Sequence, residues 1–165
     1  MRWIRGLALF AAGVVVGSFQ MARSSAQGKK DTGLRLNHVG IAVTDFQESL
    51  DFYTKVMGFR VAFAFPSPDG KPTTMFLQIN RDTFLEMAPA SANVPAGITH
   101  IGIESADEKT TILQLRQAGA TVQDSRVSAQ TNALLSNMND PDGIRLELVE
   151  LTPNSLQRKA EESWK

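Results

Sequence analysis

The sequence predicts an α+β fold in which two tandem βαβββ modules build one mixed sheet. Its first support is a repeat: "LNHVGIAVTD" (36–45) returns as "ITHIGIESAD" (98–107), an offset of 62 residues. Two later landmarks keep this offset to within one residue, Gly58 with Gly119 and Glu86 with Glu147. A chance match of one short segment would not hold its spacing over such a distance, so the pattern indicates internal duplication.

The first module is expected over residues 34–88. Its opening segment, "LNHVGIAV", alternates and is rich in β-branched residues, which predicts a strand. Asp45, followed by Glu48, predicts a helix N-cap with its capping-box partner, and Gly58 predicts the end of that helix. The apolar face of the helix is expected to be formed by Phe46, Leu50, Tyr53 and Met57. Three strands separated by turns follow: "FRVAFAF", "TTMFLQI" and "TFLEMA".

The second module, residues 97–151, follows a linker at 89–96 that is rich in proline and alanine. "ITHIGIES" predicts a strand, and a helix is expected from Asp107 to Gly119. The strands expected after it are "ATVQDSRV", "ALLSNMN" and "IRLELVEL". We therefore expect a single domain over 34–151. The polar tail, 152–165, is expected to form at most a short surface helix.

Residues 1–26 have the layout of a secretory signal peptide. Two arginines precede an apolar run from Gly6 to Phe19, and the small residues Ser24 and Ala26 suit cleavage after Ala26. The run is shorter than the roughly 17–25 residues of a membrane-spanning helix. The protein is therefore expected to be exported, periplasmic or secreted. The alternative is an uncleaved N-terminal anchor, which would be the chain's one contact with a membrane.

Composition narrows the class of function. Cleavage removes three arginines and no acid from a chain with 17 basic and 17 acidic side chains, so the mature protein is slightly acidic. A basic surface for nucleic acid is therefore not expected. The sequence has no cysteine, which excludes thiol catalysis, disulfides and cysteine metal sites.

The sequence has only two histidines, and strand alternation places each on the face turned away from its module's helix. His38 is followed by Gly40 on that face, and His100 is followed by Gly102. The missing side chain of each glycine is expected to leave volume for a bound ligand. In the closing strands, Glu86 and Glu147 fall on the same face, so each module presents one imidazole and one carboxylate.

Imidazole and carboxylate together suit divalent first-row metals. A lone strand histidine is also common as a satisfied core residue, and a strand glutamate is often part of a solvated face. The repeat couples the four residues, because both copies keep both residue types in phase. The sequence therefore predicts His38, Glu86, His100 and Glu147 as ligands of one divalent ion.

The segments "NHVGIAVTDFQESLDFYTKVMGF", "FLEM", "THIGIE" and "DPDGIRLELVE" resemble the vicinal oxygen chelate superfamily. This superfamily includes glyoxalase I, methylmalonyl-CoA epimerase, extradiol dioxygenases and bleomycin-binding proteins. The resemblance implies a cup-shaped sheet around a metal ion, here Zn, Ni, Mn or Fe, that chelates two adjacent oxygens of a small-molecule substrate. It also implies that the family's four ligand positions fall on the four residues named above. A homodimer is a common arrangement of such modules.

An acid at Glu86 resembles glyoxalase I most closely, and "NHVGIAV" and "EMAP" resemble the epimerases. By this similarity, Glu147 is expected to be the catalytic base, with Glu86 serving the opposite face of the substrate. The implied chemistry is lyase or isomerase chemistry by proton transfer next to a carbonyl. An Fe(II) dioxygenase would use only His38, His100 and Glu147. The resemblance is also compatible with a methylmalonyl-CoA-epimerase-like isomerase and with a non-catalytic small-molecule binder.

The sequence departs from glyoxalase I at two positions. That family commonly has an arginine four residues after the first ligand, where it grips glutathione, and this chain has Ala42. It commonly has an asparagine four residues after the second ligand, and this chain has Ala90. Both departures argue against glutathione as part of the substrate.

Overall fold

The computed structural model describes residues 32–165, and within them eight strands form one sheet, accompanied by three α-helices. The strands are β1 Leu34–Val43, β2 Arg60–Pro66, β3 Pro72–Asn80, β4 Thr83–Pro89, β5 Gly97–Ser105, β6 Arg126–Val127, β7 Leu134–Asn139 and β8 Arg145–Glu150. The helices are α1 Phe46–Asp51, α2 Glu108–Gln117 and α3 Leu156–Glu162. The predicted signal segment lies outside the described residues. None of the described helices has the length and apolar character needed to cross a membrane.

The sheet has the strand order β2-β3-β4-β1-β5-β8-β7-β6, so each module supplies four neighbouring strands. β1 and β5 are antiparallel partners at the centre, while β4 runs parallel to β1 and β8 runs parallel to β5. The two halves thus repeat one connectivity about the β1–β5 pair. This confirms the predicted α+β fold of two tandem βαβββ modules.

The central register pairs each histidine with the glycine of the other module. His38 lies opposite Gly102, and Gly40 lies opposite His100. A Cβ built on Gly102 would overlap the His38 ring, and one built on Gly40 would overlap the His100 ring. The expectation that the glycines leave volume for a ligand was therefore wrong. Each absent side chain accommodates the imidazole from the facing strand, because the two strands are too close for both groups.

Both modules begin their first helix in the same way. The Asp45 carboxylate accepts from the Glu48 backbone N–H at 2.9 Å, and the Asp107 carboxylate accepts from that of Thr110 at 2.9 Å. Such N-caps each stabilise a helix by about 1 kcal/mol. The duplication therefore extends from the strands to the hydrogen bonds that start the helices.

The first helix departs from the predicted regular pattern. After α1 the chain continues as a wider π-helical turn, Phe52–Val56, and then reaches Gly58, whose φ of +75° favours glycine. A π turn adds a residue per turn and shifts which side chains face the sheet. Met57, expected on the apolar helical face, is consequently 52% exposed.

The helix-facing side of the second module forms an apolar cluster. Ile112 of α2 and Leu148 of β8 are buried there with Val122, and Ile103 packs against them. Fully burying one such side chain contributes about 1.5–3 kcal/mol. Val122 is the buried residue of the predicted strand "ATVQDSRV", of which only β6, two residues long, forms as a strand. Asp124 and Ser125 instead pair with Arg116 and Glu108, which draws this segment towards α2.

The C-terminal tail is not the surface feature that its polarity suggested. Ala160 of α3 packs in one cluster with Phe76 and Phe84, both from the first module. Arg60 secures the same helix by donating to the backbone oxygens of Ala160 at 3.1 Å and Ser163 at 3.2 Å. The tail therefore stays bonded to the second module, where Leu156 N–H donates to the Thr131 backbone oxygen, and it also packs against the first. It lies on the face of the sheet that carries the histidines, where Phe76 contacts His38.

Exchange of Gly102 for alanine tests the reciprocal packing. We expect Gly102→Ala to lower the free energy of unfolding by about 1–3 kcal/mol, because its Cβ displaces the His38 ring. In a His38→Ala background the same exchange should lower the free energy of unfolding much less, because the ring is absent. Urea unfolding of the four metal-free proteins measures this double-mutant cycle. An equal cost in both backgrounds would show that the ring does not fill that space.

Candidate metal centre

Four neighbouring strands, β4, β1, β5 and β8, bring the predicted ligands of one chain together. His38 Nε2 and His100 Nε2 lie 2.9 Å apart. Glu86 Oε2 lies 3.4 Å from His38 Nε2 and 3.2 Å from His100 Nε2. These three side chains offer ligand atoms within 4.8 Å of one another. Glu147 stands slightly outside the set, with Oε1 at 3.7 Å from His38 Nε2.

His38 is held in the form that binds a metal. Its side chain is 1% exposed, and this burial lowers its pKa to about 4, so the ring is neutral at pH 7. Asn37 Nδ2 donates to the Glu104 carboxylate at 3.1 Å, which turns Asn37 Oδ1 towards His38 Nδ1 at 2.9 Å. The Nδ1 proton is therefore engaged, and Nε2 directs a lone pair at the centre.

His100 has a similar but weaker support. The hydroxyl of Thr99 contacts His100 Nδ1 at 2.9 Å. The residue immediately before each histidine thus holds the ring nitrogen that faces away from the centre. In the sequence these two residues are Asn37, in "NH", and Thr99, in "TH". Both side chains can form hydrogen bonds, so the sequence contained a signal for this role, but the sequence analysis did not identify it.

The chemistry of this donor set fits a divalent cation. Two Nε2 atoms at 2.9 Å need a proton or a cation between them, and the lone pair of His38 already points inwards. A carboxylate oxygen completes a compact arrangement of nitrogen and oxygen donors, which suits zinc and other first-row ions. The structure thus gathers the four predicted residues, and their binding of an ion stays a prediction.

A buried charge network supports the His38 side of the centre. Glu104, 5% exposed, accepts from Arg35 Nη2 at 2.6 Å and lies 3.8 Å from Arg158 Nη2. Arg158 belongs to α3 and also donates to Glu161 at 2.6 Å. A buried carboxylate with such partners remains fixed, and through Asn37 it fixes the orientation of the imidazole.

The two carboxyl groups at the centre have opposite pKa shifts. Burial raises the pKa of Glu86, but the hydrogen bond to His100 and nearby positive charge outweigh it and leave the pKa lowered. Burial also raises the pKa of Glu147, and here burial outweighs the effects that lower the pKa. The charge of Glu86 raises this pKa further. Arg145 lies 3.6 Å from Glu147 and moderates that increase. Glu86 is therefore the firmly ionised acid, and Glu147 exchanges a proton more readily.

Two cavities adjoin the centre, and both are bordered by Glu86, His100 and Arg145. The inner cavity, of about 200 Å³, also reaches Glu147, and its other walls are mostly polar. The outer cavity, of about 520 Å³, lies between the ends of β1 and β4 and the linker, with mostly apolar walls. Ala42, where glyoxalase I commonly has an arginine, lines this outer cavity.

The chain is similar in sequence to known proteins. The profile of the glyoxalase/bleomycin resistance protein/dioxygenase superfamily matches residues 35–148. Lactoylglutathione lyase of Escherichia coli O157:H7 is 26% identical over 125 residues, which cover 71% of this chain and 93% of that protein. Mitochondrial methylmalonyl-CoA epimerase of Homo sapiens is 27% identical over 93 residues, which cover 50% of this chain and 53% of that protein.

Solved structures show the same fold. Methylmalonyl-CoA epimerase of Mycobacterium tuberculosis superposes with a TM-score of 0.60 at 22% identity, covering 72% of this chain and 88% of that one. A variant of the Streptomyces coelicolor epimerase, in complex with 2-nitronate-propionyl-CoA, gives a TM-score of 0.61 at 21% identity. That superposition covers 73% of this chain and 96% of the other.

Removal of the Asn37 side chain tests the support of His38. We expect Asn37→Ala to weaken zinc binding by about 10–100-fold, because the imidazole loses the partner that fixes its orientation. Asn154→Ala, an exposed change in the turn before α3, is the matched control and should bind zinc like the unaltered chain. Isothermal titration with zinc measures both. Equal affinity in Asn37→Ala would contradict the account.

Proposed function

Because this chain belongs to the glyoxalase/bleomycin resistance protein/dioxygenase superfamily, we propose that it is a divalent-metal-dependent lyase or isomerase that moves a proton next to a carbonyl group. The observation that carries the proposal is the grouping of two imidazoles with two carboxyl groups of opposite pKa shift. His38, His100 and Glu86 would hold the ion. A bound divalent ion supplies Lewis-acid stabilisation of the oxygens on which negative charge develops.

Glu147 and Arg145 would carry out and support the proton transfer. Glu147 lies at the edge of the ligand set and faces the inner cavity, so it can exchange a proton without dismantling the set. Its raised pKa makes it a better proton acceptor than an ordinary carboxylate. The positive charge of Arg145, beside it, favours its return to the ionised form after each transfer. His38, His100 and Glu147 are buried, which limits the access of bulk water to the centre.

The two relatives support the class of reaction and leave the substrate open. A lactoylglutathione lyase and a methylmalonyl-CoA epimerase both match this chain, at 26% and 27% identity. The outer cavity has Ala42 at the position where glyoxalase I commonly has an arginine that grips glutathione, and the linker has Ala90 where that family commonly has an asparagine. We therefore propose the shared proton-transfer chemistry for this chain, acting on a substrate without glutathione.

One observation favours a second candidate. The most compact ligand set contains two histidines and one carboxylate, the combination that holds Fe(II) in many oxygenases. An extradiol-type dioxygenase would consume oxygen with a catechol, whereas proton transfer consumes none. The carboxylate distinguishes the two roles, because a dioxygenase is expected to use Glu147 as its ligand. The compact set instead contains Glu86, and it leaves Glu147 available for a proton transfer.

Glutamine exchanges separate the two acids. On hydroxyacetone in D2O, we expect Glu147→Gln to retain zinc and to slow C–H exchange by about 10²–10⁴-fold. Glu86→Gln should bind zinc more weakly, and the exposed Glu162→Gln should change nothing. Because the base must be ionised, the exchange rate should rise with pH through the raised pKa of Glu147, and this limb should vanish in Glu147→Gln. Exchange that is unchanged in Glu147→Gln would contradict the assignment.

We also propose export of this protein, on the basis of its N-terminal sequence. The positive start, the apolar run and the small residues before position 27 support cleavage by a signal peptidase. The mature chain is expected to begin at Gln27. N-terminal sequencing of the exported fraction measures this. A chain that begins at Met1 in the membrane fraction would show an uncleaved anchor, and one confined to the cytosol would contradict export.

A further inference from the structure

Helix α3 lies outside the part of the chain that the family profile matches, which ends at residue 148. The helix has only seven residues, and a helix of that length has little stability of its own in water. Three of its side chains are nevertheless buried, those of Gln157, Ala160 and Glu161. The position of α3 therefore depends on its contacts with the rest of the chain, and two routes of contact lead from α3 to the metal centre.

The first route is polar and passes through Glu104. Arg158 Nη2 of α3 lies 3.8 Å from the Glu104 carboxylate, which also accepts from Asn37 Nδ2 at 3.1 Å. Asn37 Oδ1 in turn faces His38 Nδ1 at 2.9 Å. Because Glu104 is buried, removal of the Arg158 charge would hold this carboxylate less firmly, and with it the orientation of the imidazole.

The second route is apolar and passes through Phe76. Ala160 of α3 packs in one cluster with Phe76 and Phe84. The Phe76 ring stands edge-on to the His38 imidazole, with ring centroids 5.9 Å apart, and Phe84 is the β4 register partner of His38. Departure of α3 would uncover both phenyl rings and loosen the packing that holds the imidazole in one orientation.

Arg60 of β2 fastens the far end of α3. Its guanidinium donates to the backbone oxygens of Ala160 at 3.1 Å and Ser163 at 3.2 Å, and its Cζ lies 5.2 Å from the centroid of the Trp164 ring. None of these atoms belongs to the four predicted ligands. The docking of α3 can therefore be weakened without a change to any ligand.

We propose that α3 is a positioning helix for the metal centre: its docking on the first module raises the affinity of the two histidines for a divalent ion, and a bound ion stabilises the docked helix in return. Linkage requires each event to favour the other by the same factor. This inference rests on the metal centre of the proposed function. The tail is then part of the site, although it supplies no ligand.

Undocking of α3 by substitution tests the proposal in the full chain. Ala160→Asp places a charge against Phe76 and Phe84, and we expect it to weaken zinc binding by about tenfold. Lys159→Asp introduces the same side chain one residue earlier, on the exposed face of α3. This matched control should bind zinc like the unaltered chain. Isothermal titration with zinc measures all three affinities.

The reciprocal effect is measured at Trp164. In chains that also carry Trp3→Phe, Trp164 is the only tryptophan of the sequence. Without zinc, its fluorescence in Ala160→Asp should differ from that of the unaltered chain, because the ring has left Arg60. Saturating zinc should shift this fluorescence back towards the value of the unaltered chain. Weaker zinc binding without a zinc-dependent response of Trp164 would show a general loss of stability and would overturn the inference.

A second variant keeps the test independent of a folding defect in Ala160→Asp. Arg60→Met removes the tie between β2 and the end of α3, so it should weaken zinc binding in the same direction, by a smaller factor. Unchanged zinc affinity in both variants would overturn this inference alone, whether or not the fluorescence of Trp164 changes. An unaltered chain that binds no divalent ion would overturn the proposed function as well.

Discussion

The close antiparallel pairing of β1 with β5 is the constraint on which the rest of the molecule depends. In this pairing His38 of β1 lies opposite Gly102 of β5, and Gly40 of β1 lies opposite His100 of β5. The two rings can therefore interlock, with their Nε2 atoms 2.9 Å apart on one face of the sheet. β4 and β8, parallel to these strands on either side, then place a glutamate beside the rings. A duplicated sequence thus becomes one four-residue cluster because its two copies pair through equivalent strands.

The duplication explains the symmetry of the centre, and later divergence explains its chemistry. His38 is supported by a buried amide and a buried carboxylate, whereas His100 has only a hydroxyl. Glu86 has a lowered pKa and Glu147 a raised one, although they occupy equivalent positions. Two identical half-sites would give two identical acids. The proposed proton transfer would use two acids with different roles, and the environment of each copy gives the two acids different pKa shifts.

The repeat carried most of what could be predicted from the sequence. Strand alternation placed the four candidate ligands on one face, and the landmarks at constant offset placed the two copies in register. The pattern could not show that Gly102 accommodates His38, because which strands pair across the modules is a tertiary fact. The π turn after α1 was missed for a related reason, since its residues fit a regular helix equally well. The C-terminal helix α3 lies in a tail whose polarity is typical of a surface, and its packing against Phe76 and Phe84 is a tertiary fact that the sequence pattern does not show.

Anomalous diffraction from crystals of the zinc-loaded protein shows whether one chain holds one divalent ion between its two modules. We expect a single strong anomalous peak per chain, at about 2.0–2.2 Å from the Nε2 atoms of His38 and His100 and from a carboxylate oxygen of Glu86. No peak at the two imidazoles, or a peak coordinated by only one of them, would contradict it.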